Sequence, residues 1–354
     1  DSGPYIGVLE EMGATHVKIT MKRFISPVSD LKGIWQLYII LKKNKYDLVH
    51  FFQNKFLAYG PFAAQFAKIP RIVGSSTGIG YLANTHPGLK NYVSKVILRF
   101  LFHRSFSIMD RVLFQNEDDM GYFCEEHFID RDNTVLVKGS GVNISEYSPD
   151  VINQDIVTRI RNELNLNNGE IVVSIVARLV KTKGIYEFID AAHKVNKKYA
   201  GKVVFVLFGD TEKENPETVT DEYISNNSEY YIKWYGWCDN IREALFASDI
   251  VVLPSYREGT PRALLEAMAM KKPIITTDAP GCRHVVDHGE NGFMVGVGDV
   301  EDLSKYIETL VRSDSLRREM GDASLQKVIN EFEESIIVNQ ITEKLYGTGL
   351  INTV

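Results

Sequence analysis

The sequence predicts two consecutive α/β domains of the doubly wound, parallel-sheet type, and three observations predict it. Short runs rich in β-branched or aromatic residues alternate with segments of helical length along the chain. The alternation pauses at Lys138-Gly139-Ser140-Gly141-Val142-Asn143 and the polar stretch to Asn168, then restarts at Ile171. At 354 residues the chain can build two or three cores.

In the first half the expected strands are His16–Thr20, Asp47–Phe52, Arg71–Gly74, Arg111–Gln115 and Thr134–Lys138. The chain begins at Asp1 rather than Met and enters a helix before the first of these, so a preceding strand is expected to be missing. After the third strand comes Ser75-Ser76-Thr77-Gly78-Ile79-Gly80-Tyr81, small residues at a strand's carboxyl end. They suit a tight turn or a close approach of ligand to backbone. Leu89–Ile108 reads as a helix with a broad apolar face of Val93, Val96, Ile97, Phe100, Leu101 and Phe102. Lys90, Lys95, Arg99, His103 and Arg104 surround it. Such a helix either packs on the sheet or lies in an anionic membrane interface.

Two glycines in three residues at Gly139 and Gly141 suit an interdomain hinge. Beyond it the expected strands are Ile171–Ala177, Val203–Gly209, Tyr231–Gly236, Ile250–Pro254, Pro273–Thr277 and Phe293–Val295. Helices are expected over Ile185–Lys198, Asn240–Ala247 and Pro261–Met270, with Asp239 or Asn240 capping the second. Val300–Ser313, Asp314–Asn330 and Glu331–Tyr346 close the chain as helices. The domain boundaries are placed at 1–141 and 142–330, with 331–354 expected to cross back to the first domain.

Composition excludes several classes. The chain is 44% hydrophobic and 24% charged, ordinary for a globular protein. A net charge of −6 and the lack of a basic, aromatic ladder argue against nucleic-acid binding. Cys124, Cys238 and Cys282 are too few and too scattered for a disulfide framework or a zinc site. The eight histidines show no metal-ligand spacing. Neither a membrane-spanning run nor a signal peptide is visible, and the expected compartment is the cytosol.

Chemistry-bearing residues gather at the carboxyl ends of the second set of strands, the edge where open α/β sheets bind ligands. After Ile250–Pro254 come Arg257, Glu258, Gly259 and a helix opened by Thr260 as N-cap and Pro261 as first residue. A helix N-terminus there favours an anion. Glu266 follows about two turns later. Residue types alone also fit a solvated loop glutamate and an ordinary helix glutamate. On the same edge Ala177-Arg178-Leu179 and Lys183-Gly184 supply two cations, which suit a diphosphate or, taken singly, solvent. Gly209 ends a strand where backbone could approach a ligand, and Trp237-Cys238-Asp239-Asn240 follows Gly236.

In this order, Ala177-Arg178-Leu179 with Lys183-Gly184, Gly209, Gly236 through Asn240, and Glu258-Gly259-Thr260-Pro261 with Leu264-Leu265-Glu266-Ala267 resemble the retaining glycosyltransferases of family 4. The Glu-x7-Glu spacing of Glu258 and Glu266 is part of the match. The resemblance implies the GT-B fold, two facing Rossmann-like domains with a cleft between them, and a nucleotide-sugar donor, UDP-linked. It implies that Arg178 and Lys183 hold the donor diphosphate and stabilise the leaving nucleotide. It places Glu258, with the backbone of Gly259 and Thr260, on the donor sugar, and Glu266 on the ribose. Gly209, Leu265 and the backbone near Cys238 complete the donor site, and no metal or cofactor is implied.

Within the family the likeness is to bacterial enzymes that extend lipid-linked oligosaccharides with hexose or N-acetylhexosamine. Thr77, Gly78 and Gly80 then become acceptor-side residues. The acceptor is expected to be a polyprenyl-diphosphate-linked saccharide, and Leu89–Ile108 a contact with the inner face of the cytoplasmic membrane. The chain is expected to depart from the pattern in lacking the first strand and its glycine-rich loop, which line the acceptor side of the cleft in that family. Two other readings share the fold: a GT-B sugar-nucleotide epimerase, and a non-catalytic nucleotide-sugar-binding protein. A dehydrogenase is disfavoured, since no Gly-x-Gly-x-x-Gly opens a helix after a strand.

Overall fold

The computed structural model describes residues 5–21, 26–78, 89–212 and 215–347, with the side chains of 89–95 excepted. The chain divides into two compact units, one of Asp1–Leu113 with Phe123–Thr134, the other of Phe114–Tyr122 with Val135–Val354.

The first half opens with helix α1 (Ile6–Glu11) and helix α2 (Pro27–Asn44). Between them, His16–Thr20 forms no strand. Its β-like composition is a local signal only; a ladder also needs a neighbouring strand, and among the described residues none pairs with it, while Thr20 N–H donates to Gln36 Oε1 at 3.1 Å. Pro27 sits in the first turn of α2, and Asp30, Gly33, Leu37 and Leu41 recur at helical spacing on its buried face. Strand β1 (Leu48–Phe52), helix α3 (Asn54–Ala67), strand β2 (Arg71–Ser76), helix α4 (Leu89–Phe106) and strand β3 (Arg111–Phe114) follow. Helix α5 (Glu117–Glu125) leads to strand β4 (Thr134–Leu136).

These four strands form one sheet in the order β1-β2-β3-β4, with β1 and β2 parallel from Leu48 opposite Arg71 to Phe52 opposite Ser75. The inner face of α4 is aromatic. Phe102 and Phe106 are buried against Phe123 and Phe128, ring centroids 5.1 to 6.1 Å apart. Each such ring contributes about 1.5–3 kcal/mol by leaving water. The apolar face expected on this helix is therefore divided: Phe102 points into the core, whereas Val96, Ile97 and Phe100 are exposed.

The second unit contains helix α6 (Gln154–Glu163), capped by the Asn153 side chain, then strand β5 (Ile171–Val176), helix α7 (Ile185–Tyr199) and strand β6 (Val203–Phe208). Helix α8 (Asp221–Asn226), strand β7 (Ile232–Gly236), helix α9 (Ile241–Ala247), strand β8 (Ile250–Leu253), helix α10 (Arg262–Ala269), strand β9 (Ile274–Thr277) and strand β10 (Gly292–Val295) complete the alternation. Helices α11 (Val300–Arg312), α12 (Asp314–Lys327) and α13 (Glu334–Ile341) close it. The sheet is parallel, in the order β10-β9-β8-β5-β6-β7. Residues such as Val203–Phe208, buried along their whole length, are what a strand covered on both faces requires.

That order contains a switch point. From β5 the chain moves outward through β6 and β7, then returns to the other side of β5 with β8, β9 and β10. The loops after β5 and β8 leave the sheet side by side in opposite directions, the crevice where open α/β sheets bind ligands. Two bonds tie these loops together: Ser255 Oγ and the Tyr256 N–H both donate to the Thr182 carbonyl, each at 2.9 Å. Gly184 makes the approach possible. Its φ is +74°, and a Cβ there would lie 2.1 Å from the Pro254 carbonyl oxygen.

The segment expected as a hinge runs through Gly139 and Gly141, at φ +80° and +76°. Just beyond it Val142 pairs with the tail of the same unit: its N–H donates to Phe332 O at 2.9 Å, and Glu334 N–H donates to Val142 O at 3.1 Å. The described part of the tail, to Gly347, belongs to this unit.

Candidate active site

Glu258 lies in the loop between β8 and α10, its side chain 11% exposed, and its carboxylate meets Lys183 Nζ at 2.5 Å. Lys183 ends the short turn before α7. The two residues come from the two loops of the switch point and form an ion pair there. Below them, Glu258 N–H donates to Pro280 O at 2.9 Å. Gly281 sits against this loop at φ +78°, where a Cβ would come within 2.3 Å of Glu258 O and 2.4 Å of Gly259 O. Any side chain at Gly281 would push the loop outward.

The loop is also held by residues that sequence reasoning missed. Asn116 Nδ2 donates to Gly259 O at 2.9 Å and to Glu258 O at 3.4 Å. Asp119 pairs with Arg257, and both Asn116 and Asp119 are 1% exposed. Burial raises the Asp119 carboxyl above the usual carboxylate range, opposed by Arg257 and Asn116. Asn116 Oδ1 also accepts from Asp119 N–H at 2.8 Å. An Asn immediately before an acidic helix start could have been read as a cap; its second task on the far loop left no local signal.

The expected cap of α10 is corrected. Pro261 occupies the N-cap position without a side-chain cap bond, and Thr260 Oγ1 instead donates to Gln115 O at 3.3 Å. The threonine hydroxyl finds a carbonyl outside the helix, so it is not spent on the helix end. The caps expected of Asp239 and Asn240 fail similarly: α9 has no side-chain cap bond, and Asp239 Oδ1 accepts from Trp237 Nε1 at 2.7 Å.

Glu266 faces inward from α10 and is 8% exposed. Its Oε1 accepts from Arg262 Nε at 2.8 Å, and the buried Tyr147 lies beside the same carboxylate. Burial lifts the Glu266 carboxyl above its ordinary range, with Arg262 and Tyr147 pulling it down. Tyr147 is itself raised by burial and by the Glu266 charge. Leu265 is buried in the core cluster, so its side chain packs inward and does not reach a ligand. Arg178 extends from the loop after β5 and is paired with Glu212 at 2.9 Å.

Gly209 has a φ of +137°, and a Cβ there would lie 1.9 Å from Ala177 O. Its carbonyl accepts from Trp234 Nε1 at 2.9 Å. Cys238 is half-buried after β7, its thiol raised by burial. In the first unit, Gly78 O accepts from Asn54 Nδ2 at 3.1 Å, with Thr77 beside it; Gly80 lies outside the described residues.

The arrangement thus offers two cations and two carboxylates at the carboxyl edge of a parallel sheet. Glu258 is held by a lysine in the switch-point crevice, and Glu266 by an arginine and a tyrosine within the wall. Cations here can neutralise a phosphorylated ligand, while the carboxylates can accept bonds from sugar hydroxyls.

A family model for group 1 glycosyl transferases matches residues 157–327, and a glycosyl transferase 4-like model matches residues 3–116. The chain is 27% identical over 349 residues to the N,N'-diacetylbacillosaminyl-diphospho-undecaprenol alpha-1,3-N-acetylgalactosaminyltransferase of Campylobacter jejuni, covering 98% of this chain and 89% of the relative. It is 27% identical over 355 residues to the UDP-Gal:alpha-D-GlcNAc-diphosphoundecaprenol alpha-1,3-galactosyltransferase of Escherichia coli, covering 99% and 88%. The crystal structure of Anabaena HepE in complex with UDP-glucose superposes with a TM-score of 0.78 at 20% identity, over 98% of this chain and 90% of that one. With two family models matching successive parts of the chain, and two parallel-sheet domains of the GT-B class, this protein belongs to the glycosyltransferases.

Proposed function

We propose that this glycosyltransferase moves a sugar from a UDP-sugar to a polyprenyl-diphosphate-linked saccharide with retention of configuration. The Lys183–Glu258 pair at the switch point carries the reading. In this reading Lys183 and Arg178 hold the donor diphosphate, and their charge stabilises the nucleotide as it leaves. Glu258 accepts from hydroxyls of the donor sugar, releasing Lys183 to the phosphates. Glu266, oriented by Arg262 and Tyr147, accepts from the ribose. The activities for which the two relatives are named, with their undecaprenol acceptors and one UDP-Gal donor, support the donor and acceptor classes.

The test is a donor screen on an undecaprenyl-diphosphate-linked saccharide, with mass detection of product and NMR of the new linkage. The expected result is acceptor-dependent UDP release and an axial linkage from an axial donor. UDP release without added acceptor, or an isomerised free sugar nucleotide, would select the epimerase reading.

The surface of the first unit supports membrane attachment. Among the described residues, no helix is long and apolar enough to cross a membrane. On α4, Val96, Ile97 and Phe100 are exposed beside His103 and Arg104, while Arg99 is engaged with Glu126 and stacks over Phe128. On α2, opposite its buried face, Val28, Leu31, Trp35 and Ile39 are exposed with Lys32, Lys42 and Lys43 around them. Apolar residues ringed by lysine suit an anionic bilayer surface. The protein is expected to co-sediment with phosphatidylglycerol vesicles and not with phosphatidylcholine vesicles. Equal recovery with both would remove the electrostatic part of this reading.

A further inference from the structure

Arg178 is already gripped by a carboxylate that the donor-site reading does not use. Glu212, in the loop after β6, accepts from Arg178 Nη1 through both its oxygens, at 3.0 and 2.9 Å. All of this contact falls on one nitrogen. Among the described residues, neither Nη2 nor Nε of Arg178 has a protein acceptor, and the arginine side chain is 53% exposed.

Glu212 is the anchored member. Its Oε2 accepts from Asn215 Nδ2 at 2.7 Å, and its backbone N–H donates to Thr218 Oγ1 at 2.9 Å. The Glu212 side chain is 22% exposed, less than half the exposure of its partner. A long arginine side chain left to itself loses rotamer freedom when it binds an anion. With Nη1 held by a fixed carboxylate, the Nε–Nη2 edge remains, and that edge is a two-donor fork matched to a phosphate.

We infer that Glu212 is a positioning residue for the donor diphosphate, holding Arg178 so that its Nε–Nη2 edge meets the phosphates. The inference rests on the donor-site reading proposed above. Glu212 touches the guanidinium and not the substrate. A carboxylate that merely blocked the site would show the reverse sign, since its removal would strengthen anion binding.

The test is calorimetric binding of UDP and of uridine to the full chain and its variants. Glu212→Ala is expected to weaken UDP roughly fivefold, the size of one partly exposed ion pair. Uridine binding, which lacks the phosphates, is expected to stay unchanged and so controls for folding. Glu212→Gln, which keeps one acceptor oxygen for Nη1, is expected to fall between the two. In a transfer assay the donor KM should rise by the same factor with kcat nearly constant. In an Arg178→Ala background, Glu212→Ala should change nothing further.

Tighter or unchanged UDP binding in Glu212→Ala would overturn the inference, as would an equal loss in the Arg178→Ala background. If Arg178→Ala weakens UDP while Glu212→Ala does not, the diphosphate reading stands and this one falls. If Arg178→Ala leaves UDP binding intact, both fall.

Discussion

Glu258→Ala is expected to reduce kcat/KM for sugar transfer by about 10²–10³-fold, the usual scale for losing one well-placed polar contact in an active site. UDP should still bind. At the switch point Glu258 holds Lys183 at 2.5 Å. Removing the carboxylate leaves Lys183 without its counter-ion, with only anionic ligands to replace it. UDP affinity should therefore be equal or higher, while the donor sugar, deprived of its acceptor oxygens, loses the position that transfer requires. Parallel calorimetry and initial-rate measurements separate the two. Loss of UDP binding together with turnover would make Glu258 a support for the loop and not a sugar ligand.

Lys183→Ala is expected to have the opposite signature on binding. UDP affinity should drop more than about tenfold, and kcat/KM by about 10³-fold, because the charge acts on ground-state phosphates and on the leaving group alike. This substitution also strands Glu258, whose side chain is 11% exposed. A nearly buried acceptor stripped of its partner costs about 1–3 kcal/mol. The variant should melt lower than the parent, and Lys183→Ala with Glu258→Ala together should recover part of that loss. Thermal melts of the three variants check it; additive destabilisation in the double variant would show that the two side chains do not interact.

Much of the fold was legible because its signals are local. Val203–Phe208 is an uninterrupted run of buried apolar residues, as a doubly covered parallel strand demands. Gly184 and Gly209 mark loops where backbone meets backbone, and both are needed at positive φ. Local signals failed where a partner decides the outcome. His16–Thr20 has strand-like residues without a described strand beside it, and Thr260 looks like a cap but spends its hydroxyl on Gln115.

The candidate site divides along the same line. Arg178, Lys183, Glu258 and Glu266 stood out from their places at strand ends and helix starts. Asn116 acts on a carbonyl 143 residues away, and Glu212 on an arginine 34 residues away. Neither spacing leaves a trace in periodicity or capping pattern.

From the sequence alone came the alternation of strand and helix, the two-domain plan, and the ordered set of charged residues at one sheet edge. All of these follow from side-chain period and turn chemistry, which act over a few residues. The tertiary structure alone decided the pairings. The order β10-β9-β8-β5-β6-β7 brings the loops after β5 and β8 together, so Lys183 meets Glu258. The facing of α10 turns Glu266 to Arg262 and Tyr147 instead. Two glutamates eight residues apart thus have different partners, because an ion pair depends on distance in space, which only the strand order and helix orientation set.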